Sequence, residues 1–154
     1  MNRPVLAALA LPALLALPGL AQAAQWSKLP APPGASAAID RSSIVRSGAS
    51  YKAWTLEAPA AQHMTPDGKP YRAVKALNLY SCEDRTATLL MQVFYADAKG
   101  LGEAVQTIRF EKFTPDEVVP DSVNDGAMQV VCKVAKDDAA KAEAAAAAAA
   151  PKKK

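Results

Sequence analysis

Only two cysteines occur among the 154 residues, Cys82 in "LNLYSCEDRT" and Cys132 in "MQVVCKV". A bond between them would close a loop of about 50 residues, a tighter restriction than any other feature of the chain imposes. Whether the bond forms depends on the compartment. The N-terminal stretch "MNRPVLAALALPALLALPGLAQA" carries one charge, Arg3, ahead of an apolar run from Val5 to Leu17. Pro18 and Gly19 break the run, and Ala21 and Ala23 stand at small-residue cleavage positions. That order is the anatomy of a secretory signal peptide over residues 1–23. A membrane span would want about 20 apolar residues, and this run is shorter and interrupted by prolines. No cysteine follows it, so a lipid anchor at the new N-terminus is not expected. The mature chain is expected in the periplasm, in the medium or at the cell surface, where a disulfide persists. Two cysteines allow one intramolecular pairing. Closing that loop is worth about 4 kcal/mol in the chain-entropy picture, a large share of a small domain's stability.

The same residues argue against chemistry. Neither cysteine lies in a C-x-x-C, and His63, in the loop-like "AAQHMTPDGKP", is the single histidine. A Cys–His nucleophile needs the two within hydrogen-bond reach, and structural zinc needs four ligands of suitable type. No Ser-His-Asp order or glycine-rich phosphate loop is present. We therefore expect no catalytic residue, no cofactor and no metal site, and His63 reads as exposed and inert. Without Arg3 the chain keeps 17 Lys and Arg against 15 Asp and Glu, a balance too weak to argue for nucleic acid.

Proline, glycine and small residues make 24–38 a flexible N-terminal arm, with Trp26 as a docking point. Residues 39–136 form one folded domain, and 137–154 an Ala/Lys-rich low-complexity tail. Within the domain "SYKAWTLEA" alternates, with Tyr51, Ala53 and Thr55 on one face and Lys52, Trp54 and Leu56 on the other. "PAAQHMTPDGKP" is a long loop around an Asp67-Gly68 turn. "YRAVKALNLYSC" places Val74, Ala76, Asn78, Tyr80 and Cys82 opposite Ala73, Lys75, Leu77, Leu79 and Ser81. Asn78 and Lys75 spoil both sides, so the buried face stays open. "ATLLMQVFYAD" and "AVQTIRFEKF" continue the series, and short connections favour an antiparallel meander. Trp54 reads as core, and Tyr80 and Tyr95 as core or rim. Arg85 beside Glu83 and Asp84 reads as a solvated turn with local pairing.

The period changes after residue 120. Ser122 is placed as an N-cap, with Asp125 three residues on as an acidic variant of the capping box. Val123, Ala127, Val130, Val131 and Val134 recur at helical spacing. Met128, Val130, Cys132 and Val134 also fit a strand; the helix is favoured because cap and spacing agree. "AAKAEAAAAAAA" can extend that helix up to Pro151. The exposed Lys152, Lys153 and Lys154 could contact anionic envelope components, or plasminogen through a free C-terminal lysine.

Taken together, Trp26, "IDRSSIVRSG", "YKAWTLE", Tyr71, "LNLYSCEDRT", "VFYADAKG" and "VVPDSV…VVCK" resemble the surface-adhesin protein E family of Gram-negative bacteria, from Trp26 to Lys133. The resemblance implies an α+β fold: a small curved antiparallel sheet, of about five to six strands, with a C-terminal helix packed on it. It implies that Cys82 and Cys132 are the family's disulfide pair and that Arg85 has a structural hydrogen-bonding role. It also implies a non-enzymatic binding module for host extracellular matrix proteins or plasminogen. The alternative is a periplasmic structural or accessory protein with no host ligand.

Overall fold

A computed structural model describes residues 23–111 and 114–149. The signal peptide expected over 1–23 lies almost wholly outside these residues, as do Lys152, Lys153 and Lys154. In chain order the elements are β1 (Trp26–Leu29), β2 (Ser36–Asp40), a 3-10 turn (Arg41–Ser43), β3 (Val45–Ser47), β4 (Ser50–Ala58), β5 (His63–Met64), β6 (Pro70–Tyr71), β7 (Ala73–Ser81), β8 (Thr86–Tyr95), β9 (Ala104–Arg109), β10 (Asp116–Glu117) and α1 (Val123–Ala149).

The main sheet runs β1-β2-β4-β7-β8-β10, with β3 also beside β4 and β9 also beside β8. Every pairing is antiparallel. The fold is α+β with one disulfide, and the meander β4-β7-β8-β9 is the one expected from alternation. The sheet has eight strands rather than five to six. The additional ones are short: β1 has four residues, β3 three and β10 two. Strands that short display no period, and their neighbours' backbones hold them. β1 and the start of β2 occupy much of the stretch read as a loose arm. Trp26 to Leu29 pair in register with Asp40 to Ala37. Asp40 fixes that edge: its Oδ1 accepts from Gln25 N at 2.8 Å, and from Ser42 N and Oγ at 3.0 and 2.6 Å.

The open question of faces is resolved in favour of the Tyr80 side. Tyr51 lies opposite Tyr80, and Tyr80 opposite Ala87. Together with Ile39 and Ala53 they meet Ala127, Met128 and Val131 of α1. Ile39, Ala53, Tyr80, Ala127 and Val131 are wholly buried. The alanines at this contact bring helix and sheet close. Gly126 does the same at the helix start: a Cβ there would stand 2.8 Å from Pro30 Cδ. The other face, with Lys52, Trp54, Leu56, Lys75, Leu77 and Leu79, is not covered by α1. Trp54, read as core, is half-buried there.

Residues 126–134 are helix. Ser122 Oγ accepts from Asp125 N at 3.1 Å, as the capping box requires. The reciprocal bond shifts by one residue, Asp125 Oδ2 accepting from Asp121 N at 3.4 Å. α1 has 27 residues, so it is about 40 Å long. Its apolar stripe ends at Ala135, and every described residue from Lys136 onward is exposed.

Cys82 and Cys132 are bonded, with Cα atoms 5.7 Å apart across 50 positions of sequence. The bond ties the end of β7 to the third turn of α1. Replacing both cysteines by alanine is expected to lower unfolding free energy by about 3–4 kcal/mol in chemical denaturation. Hydrogen exchange should show α1 losing protection before β4 and β7.

Candidate functional site

Three regions carry the polar chemistry. The first surrounds the disulfide. Arg85, in the β7–β8 turn, has φ +54°. Its carbonyl accepts from Val118 N at 3.0 Å, and its Nη2 donates to Asp125 Oδ1 at 3.0 Å. The sequence suggests local pairing of Arg85 with Glu83 and Asp84. Its partner is 40 residues away on α1, and the bond holds helix to turn beside the disulfide. This agrees with the structural hydrogen-bonding role implied by the resemblance. The Arg85 guanidinium, followed by the Gln129 amide and Asp121 N–H, holds the Asp125 carboxyl below the usual carboxylate range.

The second region is a cleft of about 330 Å³ between the sheet, β10 and the start of α1. Glu57, Asn78, Gln92, Asp116, Glu117 and Asn124 contribute its polar lining. Glu57 follows the buried period of β4, and burial pushes its carboxyl above the ordinary value. Tyr80 lies beneath, donating to Asn124 Oδ1 at 3.3 Å. Burial, and then the nearby Glu57 charge, raise its phenol.

The third region is the uncovered sheet face. Trp26, Asp40, Trp54, Lys75, Val93 and Tyr95 line a cavity of about 260 Å³ there, with Ala24 at its margin. Lys75 Nζ sits 4.9 Å from the Tyr95 ring centre and 5.9 Å from that of Trp26. Both are cation–π distances. The 96–103 loop packs beside the cavity, against the stem of Lys75. Asp97 shapes it by accepting from Lys99 N and Leu101 N at 2.6 and 2.7 Å. Gly100, at φ +65°, then lies against the stems of Leu56 and Lys75.

A family model described as surface-adhesin protein E matches residues 26–133. The chain belongs to the surface-adhesin protein E family. Its fold is similar to that of Haemophilus influenzae protein E, at 18% identity and a TM-score of 0.52, over 70% of this chain and 83% of that one. A second crystal form of protein E from the same organism gives 19% identity and a TM-score of 0.48, over 63% and 80% of the two chains. No curated protein matches the chain.

The family is described as one of surface adhesins. Among the described residues, no group of three His, Cys, Asp or Glu side chains could hold a metal ion. No described helix is long and apolar enough to cross a membrane. His63 is exposed on β5, its ring centre 5.9 Å from that of Tyr71. The structure joins Cys82, Cys132 and Arg85 in one corner and sets Trp26, Trp54, Lys75 and Tyr95 together on another surface. Lys75 and Glu57 carry only a weak sequence signal as site residues: Lys75 is an exception to strand alternation. Glu57 has a similar signal, a charge in phase with Tyr51, Ala53 and Thr55.

Two carboxylates make opposite contributions to stability against pH. Asp125 holds its proton less tightly in the fold, so its contribution is full above about pH 4 and is lost as pH falls through its lowered value. Urea titrations should therefore show a loss in acid that shrinks in Asp125→Asn. Glu57 holds its proton more tightly in the fold, so it destabilises as pH rises past about 4.3. Glu57→Gln should raise stability at pH 7, and the gain should fade below about pH 4.

Proposed function

We propose that this chain is an exported, non-enzymatic binding module of the adhesin type, and that its contact surface is the uncovered sheet face. Family membership supports the class. The supporting observation in the fold is the contrast between the two faces. One is filled by α1, whereas the other leaves Trp26 at 38% and Val45 at 53% exposure among half-buried tryptophan, tyrosine and leucine side chains. Aromatic side chains grouped on an exposed face are the composition of a contact surface. Secretion by cleavage after Ala23 would deliver it, and host extracellular matrix proteins or plasminogen are the proposed partners. Lys152, Lys153 and Lys154 are a second proposed contact, to plasminogen or to anionic envelope components.

Protease shaving of intact cells tests this reading, with a periplasmic protein as leakage control. Release of peptides from this chain without leakage, followed by saturable binding of the purified protein to matrix proteins or plasminogen, is the expected result. Complete protection, with no protein in the medium, would overturn it in favour of a periplasmic structural or accessory role.

A further inference from the structure

The cavity on the uncovered face has chemistry more specific than a general contact surface, and the inference drawn from it rests on the binding-module reading. We propose that Trp26, Trp54, Lys75 and Tyr95 bind a uronate unit of an acidic glycan, with neighbouring cations following the chain beyond it.

Cross-strand register carries the argument about charge. One row across this face reads Lys28, Ala38, Leu56, Lys75, Val93, Thr107. The next reads Trp54, Leu77, Met91, Arg109. Lys52 lies opposite Leu79. Among the described residues, none of Lys28, Lys52, Lys75 and Arg109 forms a salt bridge. Lys28 and Lys75 are three strands apart, about 14 Å. Lys52 stands four residues along β4 from Leu56, the partner of Lys75, which gives about 14 Å again. An extended anion can meet several of these cations at once; a small ion meets only one.

The cavity selects the type of anion. Trp26, Trp54 and Tyr95 supply flat apolar surface of the kind that covers the C–H face of a sugar ring. The stem of Lys75 lies against the Gly100 loop, which directs its ammonium toward the two rings. Asp40 also lines the cavity, and the hydrogen bonds it accepts all fall on Oδ1. Oδ2 is left as an acceptor for a hydroxyl. A uronate offers both requirements: one carboxylate for Lys75, and hydroxyl donors for Asp40. Densely sulfated or phosphorylated chains would bring excess negative charge against Asp40. An acidic polypeptide would satisfy the lysines but leave the rings without a matching planar face.

The chain's two tryptophans, Trp26 and Trp54, both line this cavity, so intrinsic fluorescence reads it directly. The full mature protein should be titrated at low salt with oligogalacturonate, with a neutral galactose oligomer, with dextran sulfate and with poly-L-glutamate. Saturable change with oligogalacturonate and none with the neutral oligomer is expected, with affinity weakening as salt rises. Lys75→Gln should reduce the affinity at least about tenfold. Lys75→Arg should retain most of it, and Lys99→Gln, outside the cavity, should leave it unchanged. Thermal melts of each variant separate loss of binding from loss of fold. Equal or tighter binding of poly-L-glutamate or dextran sulfate would overturn the uronate assignment. So would an absent oligogalacturonate response, or an affinity insensitive to Lys75→Gln in a folded variant. Surface exposure and matrix binding without a uronate response would remove this inference alone and leave the adhesin-type reading standing.

Discussion

α1 is fixed to the sheet at one corner, and the rest of the architecture depends on that attachment. Cys132 is bonded to Cys82 at the end of β7, and Asp125, two turns earlier, is bonded to Arg85 just past it. Two tethers about 10 Å apart along one helix set its direction as well as its position. Arg85 adopts a left-handed backbone that costs a non-glycine residue about 1 kcal/mol or more. Its carbonyl bond to Val118 and its ion pair with Asp125 offset that cost. Without the helix, Ile39, Tyr51 and Tyr80 would face water. The helix in turn has an apolar stripe only as far as Ala135, so neither layer is stable in isolation.

This attachment also divides the surface by charge. α1 starts partway along the inner face, so the cleft beyond its N-terminus is bounded by Glu57, Asp116 and Glu117. The opposite face collects Lys28, Lys52, Lys75 and Arg109. A nearly neutral chain thus presents an acidic recess on one side of its sheet and a cationic aromatic surface on the other. Strand alternation produces the separation, because residues one apart on β4 and β7 end on opposite faces.

Alternation made the long strands β4, β7, β8 and β9 readable, and Ser122 with Asp125 made the helix start readable. Both signals are local. What escaped depends on partners distant in sequence. β1 and β10 exist because β2 and β8 offer free backbone groups, and their own residues carry no strand signal. The partner of Arg85 is a carboxylate on another element, whereas Glu83 and Asp84 were simply nearer in the chain. Trp54 was read as core because tryptophan is usually buried. Here the phase of β4 buries Ala53 beneath α1. Strand alternation then places the adjacent tryptophan on the outer face. The disulfide was legible because two cysteines leave a single choice, and the covered face was not, because Lys75 and Asn78 interrupt both sides of β7 equally.

An uncovered sheet face rich in Trp, Leu, Met and Val would ordinarily invite non-specific association. Lysine stems prevent that here. Lys52 and Lys75 lie half-buried among these side chains, with the Lys75 ammonium over the Tyr95 ring. A purely apolar partner would have to desolvate those ammonium groups without pairing them, at a cost that exceeds the gain from a few buried side chains. An anionic partner replaces the lost water with charge-assisted bonds and still covers the rings. In the proposed contact surface, the residues that keep the face hydrated would also select what binds to it. The same cations that spoil the alternation of the strands would set the specificity of that contact.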